Sequence, residues 1–276
     1  MASGVHAQNE TLNIRGLEGS DRQKDIERLE KLRPIDDDFM RVIYRDDIPL
    51  TEDTLRIVTG IEGLKVVHTE TQKDLKRLVG ARSVELDVMA VDSSGRWHDI
   101  EVQRGDEPRP RRARYHSAAM DVEALDAGHE PEELPEQWVI FIMEHDPFGK
   151  GQGTYLFERA EKLCGERLAD GTNLLYANGD YRADDELGDL MRDFHQSNPD
   201  AMRNARMAER VRYFKRTPKG MVQMCEIFDE IRQEGEERML LAILRNLMEK
   251  LSLTAQEAFD MLSVPNEKRQ KYLAML

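Results

Sequence analysis

The stretch Val84–Arg104, V-E-L-D-V-M-A-V-D-S-S-G-R-W-H-D-I-E-V-Q-R, decides how this chain is read. Two runs that alternate apolar and polar residues flank a Ser-Ser-Gly turn, the pattern of a β-hairpin. With Ser93, Ser94 and Gly95 as a three-residue loop, and Gly95 in the left-handed conformation that closes such loops, Asp92 pairs with Arg96 and Asp87 falls opposite Glu101. Paired side chains stand about 4.5–5.5 Å apart at Cβ. Glu101 and Gln103 share one face of their strand, because successive side chains alternate. Two carboxylates and an amide therefore meet on one patch. Such a patch suits a hard divalent cation, since Mg²⁺ is held by one or two carboxylates together with water and substrate phosphate.

Working outward, Leu64–Gln72 reads as extended and joins 84–91 and 96–103 in a three-stranded antiparallel meander. Upstream, Asp36–Arg45 is expected to be helical on the spacing of Phe39, Val42 and Ile43. A second helix is expected to start after Thr51, as its cap, and to end near Gly60 or Gly63. Downstream, Arg109–Leu125 reads as a helix with Pro110 near its start and Gly128 past its end. Gln137–Met143 is almost wholly apolar, as in a strand covered on both faces, and Thr172–Ala177 is a last strand. Residues 1–30 are polar and read as a disordered start merging into a surface helix.

After Asp180 strand signals stop. Helical stripes recur at Leu187–Phe194, Met202–Val211 and Met221–Ile231, then after a charged break at 233–237, over Leu240–Leu251. Thr254-Ala-Gln-Glu257 is a capping box opening a short helix, and Pro265 separates it from a final one. The expected organisation is a polar 1–30, an α/β unit over 31–180 and a helical region over 181–276. The broad apolar face of the tail is expected to pack on another helix, in the same chain or in a homodimer.

The chain has 276 residues and a formal net charge of −14, which argues against a protein that simply coats DNA. Its two cysteines, Cys164 and Cys225, lie far apart and offer neither a metal spacing nor a disulfide framework. The first ten residues lack the pattern of a signal peptide. No apolar run approaches the ~18–20 residues that span a bilayer, so a soluble, cytoplasmic protein is expected. Aromatic residues are only 6%, which disfavours a carboxylate-pair glycosidase with stacking platforms. Arg104, Arg109, Arg111, Arg112 and Arg114 crowd the stretch after the hairpin. They read either as a patch that neutralises a nucleic-acid backbone or as a solvated helix face.

Asp87-(x)13-Glu101-Val102-Gln103 resembles the metal site of the PD-(D/E)XK nuclease superfamily, in the variant where Gln stands for the usual Lys. Further stretches resemble the transposase, or recombination-promoting nuclease, family within it. These are Ile35–Met40 as an acidic opening helix, and Arg112-Ala-Arg114-Tyr115-His116-Ser117 with Met120-Asp121, where His116 stands at a common Tyr. Trp138–Met143 with Asp146-Pro147-Phe148-Gly149, and Leu175–Gly179, complete the set. The resemblance covers roughly residues 31–180, in order.

The resemblance implies a restriction-endonuclease-like core and a DNA endonuclease dependent on Mg²⁺ or Mn²⁺. The ion would be held by Asp87, Glu101 and the backbone carbonyl of Val102, with Asp38, or else Asp37, holding a metal-bound water. Gln103 would orient the attacking water, a role in which an amide supplies hydrogen bonds but no charge. Arg112 or Arg114 could reach in to compensate, and Arg111, Arg112, Arg114 and Tyr115 would meet DNA. For Tyr115, packing on the sheet is the favoured reading. The rival to catalysis is a silent relative that binds DNA or protein through its helical tail. His116, His129 and His145 lack metal-site spacing, which argues against zinc.

Overall fold

The computed structural model describes residues 20–75, 84–105 and 107–276. Of the partly disordered start expected over residues 1–30, residues 1–19 lie outside them, as does Asp106. The chain forms two compact units: Glu27–Thr217, and the described residues up to Ile26 with Pro218–Leu276. The helix α1, Ser20–Lys31, runs across that division. The boundary after the sheet therefore falls at Thr217 and not at 180, because two helices beyond the last strand pack into the first unit.

In Glu27–Thr217 the order is α2 (Asp37–Tyr44), α3 (Ile48–Thr59), β1 (Val66–Asp74), β2 (Glu85–Asp92), β3 (Trp97–Gln103), α4 (Pro110–Ala124), β4 (Gln137–Met143), β5 (Thr154–Phe157), β6 (Thr172–Ala177), α5 (Glu186–Phe194) and α6 (Ala205–Arg216). The fold is α/β, around a mixed six-stranded sheet in the order β1-β2-β3-β4-β6-β5. The meander β1-β2-β3 is antiparallel, whereas β3, β4 and β6 run parallel. The step from β3 to its parallel neighbour β4 needs a crossover, and α4 provides it.

The hairpin forms in the register read from its loop. Gly95 has φ +81° and donates its N–H to the Asp92 carbonyl at 2.9 Å. The Asp92 carboxylate accepts from Ser94 N, Arg96 N, Arg96 Nε and His98 Nε2 at 2.7–3.1 Å, so one side chain pins both arms. Burial raises the proton affinity of Asp92, but these bonds outweigh it and hold the carboxyl below its ordinary range. Val91 pairs with Trp97 and Val88 with Ile100.

The second helix starts earlier than its sequence suggests. Asp47 caps it, accepting from Leu50 N at 2.9 Å, and Thr51 is buried inside. Pro49 fits there because the first turn needs no N–H. The short edge strand β5 has no counterpart among the expected strands, four residues being too few to show alternation. At Gly179, a Cβ would lie 2.1 Å from the Met143 carbonyl, so only glycine lets the chain leave β6 beside the end of β4. Lys215, 1% exposed, closes the base of this unit by donating to the carbonyls of Glu30, Leu32 and Ser197 at 2.6–3.1 Å.

The other unit holds α7 (Pro218–Leu251), α8 (Ala255–Met261) and α9 (Asn266–Leu273). The expected break at 233–237 does not occur. Glu and Gln are good helix formers, and the one glycine there, Gly235, costs only about 1 kcal/mol. The capping box at Thr254 forms, with Glu257 N donating to the hydroxyl at 3.3 Å and Glu257 accepting from Thr254 N at 2.8 Å. Leu241 and Leu244 pack with Ala258, Phe259, Val264 and Tyr272, so part of the tail's apolar face is covered within the chain.

Candidate metal centre

On β3 the odd-numbered residues Trp97, Asp99, Glu101 and Gln103 share the face that carries Val139, Phe141 and Met143 of β4, their partners in register from Asp99 on. α4 covers this face with Ala113, His116 and Met120. The alternation that puts Glu101 on the patch therefore puts Asp99 there as well.

The ladders break at Asp87. Pairing of β2 with β3 stops at Val88↔Ile100. On the β1 side, Gln72, which lies between the partners of Val88 and Leu86, has φ +56°. The Asp87 N–H donates instead to Glu101 Oε1 at 2.9 Å. One further residue along each strand from a regular pair, the two acids are locked together by a backbone-to-carboxylate bond. Neither is the solvent-facing strand carboxylate expected of an ordinary sheet: Asp87 is 3% exposed and Glu101 0%.

Each acid has a cation from a flanking helix. Arg41 of α2 contacts Asp87 Oδ1 through Nε at 2.8 Å and Nη2 at 2.6 Å, and reaches Glu85 at 3.2 Å. Arg112 of α4 donates from Nη2 to Glu101 Oε2 and from Nε to His116 Nε2 at 3.3 Å. His116 Nδ1 lies 3.0 Å from Asp99 Oδ2 and 3.7 Å from Glu101 Oε1. Asp99 Oδ1 is buried and has no hydrogen-bond partner.

Three carboxylates, Asp87, Asp99 and Glu101, thus share a water-poor space with two guanidinium groups. Burial, then repulsion from Asp99 and Asp87, pushes the Glu101 carboxyl well above its ordinary range. Burial and the Asp87 charge do the same to Asp99. Burial lowers the His116 imidazole. Asp99, Glu101 and His116 each offer one ligand atom, all within 4.8 Å of one another, a set able to hold a metal ion.

The remaining residues fall in two groups. Val102 is buried with its side chain on the opposite face. Glu144 N donates to the Gln103 carbonyl, so alternation turns the Val102 carbonyl toward β2, where the ladder has stopped. Gln103, 5% exposed, donates through Nε2 to the Glu107 carbonyl, while its Oε1 is buried without a partner. Asp38 does not face the centre: it is half-exposed, 3.6 Å from Arg28. Asp37 is exposed to solvent, yet it is the acid of α2 that senses the centre, its carboxyl raised by partial desolvation and then by the Asp87 charge. Helical rotation of 100° per residue separates the two neighbours. Asp37 and Asp38 both line a cleft of about 520 Å³ with Arg28, Lys31, Arg33, Asp36 and Arg104.

Arg111 and Arg114 are exposed on α4. Tyr115 is 42% exposed, against the reading that packs it on the sheet, because it falls on the outer side of the helix between buried Ala113 and His116. Sequence reasoning passed over Asp99, His116 and Arg41. Asp99 was recoverable from the period of two, but Arg41 and His116 come from separate helices and carry no spacing signal. Comparison of the chain with known protein families, curated proteins and solved structures gives no match.

Proposed function

We propose that the protein is a metal-dependent DNA endonuclease of the PD-(D/E)XK type, built on a restriction-endonuclease-like core and associated with transposition or recombination. The observation that carries this reading is the break of the β2–β3 ladder at Asp87, where the Glu101 carboxylate takes the Asp87 N–H. A sheet gains nothing from burying three adjacent carboxylates unless a cation offsets them. Asp87, Glu101 and the Val102 carbonyl would hold Mg²⁺ or Mn²⁺, with Asp99 and His116 beside them. The bound ion lowers the pKa of water and polarises a phosphate. Gln103 would orient the nucleophile. Exposed Arg111 and Arg114, with Tyr115, would meet the DNA backbone. Met239, Ile243 and Leu251 remain exposed on α7 and would serve a homodimer through the C-terminal helices.

A second reading, a silent relative that only binds DNA or protein through its helical tail, is favoured by one feature: Arg41 and Arg112 already neutralise Asp87 and Glu101 without a metal. Plasmid nicking by the purified chain, with Mg²⁺, with Mn²⁺ and with chelator, separates the two. Cleavage that requires the ion and is lost in Glu101→Gln is expected. Absence of ion-dependent cleavage on any duplex or single strand would favour the silent relative. Among the described residues no helix is long and apolar enough to cross a membrane.

A further inference from the structure

The all-oxygen set of Asp87, Glu101 and the Val102 carbonyl is a magnesium-like donor set. The fold adds a nitrogen to it. We propose that Asp99, Glu101 and His116 form a mixed nitrogen–oxygen cation site, so that the centre takes Mn²⁺, Co²⁺ or Zn²⁺ in preference to Mg²⁺, and that the ion displaces Arg112. This deepens the reading above and rests on the same patch.

Three observations carry it. The ligand atoms of the three side chains lie within 4.8 Å of one another, and all three residues are buried. Asp99 has 0% exposure, and while its Oδ2 lies 3.0 Å from His116 Nδ1, its Oδ1 receives no hydrogen bond. A buried carboxyl oxygen without a partner is costly, and an ion bound here supplies one. Finally, Arg112, the cation now at Glu101, has a side chain 38% exposed, so it has a path out.

The imidazole couples these events. His116 Nε2 accepts from Arg112 Nε, which places the ring proton on Nδ1, toward Asp99. An ion bound at Nδ1 requires the proton on Nε2, and a protonated Nε2 cannot accept from Arg112. Ligation and the Arg112 hydrogen bond are therefore mutually exclusive. The same ion takes the Glu101 oxygen that Arg112 now holds. Once released, the guanidinium is positioned at the mouth of the centre and can meet phosphate. Imidazole suits borderline transition ions, whereas Mg²⁺ favours oxygen alone.

The test uses the full chain, stripped of metal. Calorimetric titration should show Co²⁺ binding at least about tenfold tighter than Mg²⁺. Pulsed electron paramagnetic resonance of bound Mn²⁺ should show imidazole nitrogen modulation. His116→Phe keeps a ring against Phe141 but removes the nitrogen. It should abolish the modulation and weaken Co²⁺ about tenfold or more, with little change for Mg²⁺. Asp99→Asn, isosteric and uncharged, provides a second arm, with the same loss of Co²⁺ affinity. Circular dichroism confirms folding of each.

Equal affinities for Co²⁺ and Mg²⁺, or Mn²⁺ bound without nitrogen modulation, overturns the proposal. Mg²⁺-supported cleavage that survives His116→Phe, with no modulation in the parent, would overturn it while leaving the nuclease reading standing. Nitrogen-marked binding in a chain that never cleaves DNA would support it and count against that reading.

Discussion

The backbone N–H of Asp87 donates to the Glu101 carboxylate at 2.9 Å, in place of a strand carbonyl. This bond makes Glu101 a structural acceptor as well as a candidate ligand. An isolated strand acid at the surface could be truncated with little effect on folding. Glu101 is buried, and its removal leaves the Asp87 amide and Arg112 Nη2 without their acceptor.

Charge and hydrogen bonding at Glu101 can be separated. Glu101→Gln keeps an oxygen for the Asp87 N–H and relieves repulsion from Asp99 and Asp87. Urea unfolding in chelator should find it at least as stable as the parent. Glu101→Ala should lose about 1–3 kcal/mol, the penalty for unsatisfied buried partners. Both should lack metal-dependent cleavage. Equal stability of Glu101→Ala and parent would mean the Asp87 bond contributes nothing.

Gln103 tests the role of charge next to the centre. Gln103→Ala should slow cleavage less than Glu101→Gln does, since an orienting amide is lost and no ligand charge. Gln103→Lys should preserve or raise the rate, because electrostatic stabilisation is commonly the largest contribution to catalysis. Single-turnover rates with Mn²⁺ decide it, and a dead Gln103→Lys would argue against the superfamily chemistry.

Arg111 and Arg114 are expected to bind phosphate, whereas Arg112 answers to Glu101. Replacing Arg111 and Arg114 by Ala should weaken DNA binding alike for all sequences. The slope of log affinity against log salt should flatten by about 0.9 for each phosphate that is no longer neutralised on duplex DNA. Fluorescence anisotropy over a salt series measures this. An unchanged slope would make both residues part of a solvated helix face.

Lys215 gives stability a signature in alkaline solution. Burial pushes its ammonium down to about 8 from 10.5. Between those values the unfolded chain holds the proton more tightly than the folded one, so stability rises with pH from about 8 toward 10.5 and is lost as pH falls through about 8. Lys215→Met removes that rise. It also leaves three carbonyls without their donor, so it should be less stable by about 1–3 kcal/mol. Denaturation of both proteins at the two ends of the window isolates the Lys215 contribution. Parallel pH curves would contradict it.

The sequence by itself determined the hairpin, and with it the meeting of Asp87 and Glu101. A three-residue loop closed by Gly95 admits one register, and alternation does the rest. It also determined α4, the buried strands β4 and β6 and the capping box at Thr254, each set by residues close together in the chain.

Only the tertiary structure decided what surrounds the acids. Arg41, Arg112 and His116 reach the patch from helices whose placement depends on how they pack on the sheet. The choice of Asp37 over Asp38 is a matter of helix rotation against that surface. Local periodicity does not specify rotation or depth. The same distinction explains why the strand pattern does not show that Asp99 and Glu101 are buried, and why the helices through Thr217 join the sheet. Burial is a property of what packs on an element, and that partner is usually remote in sequence.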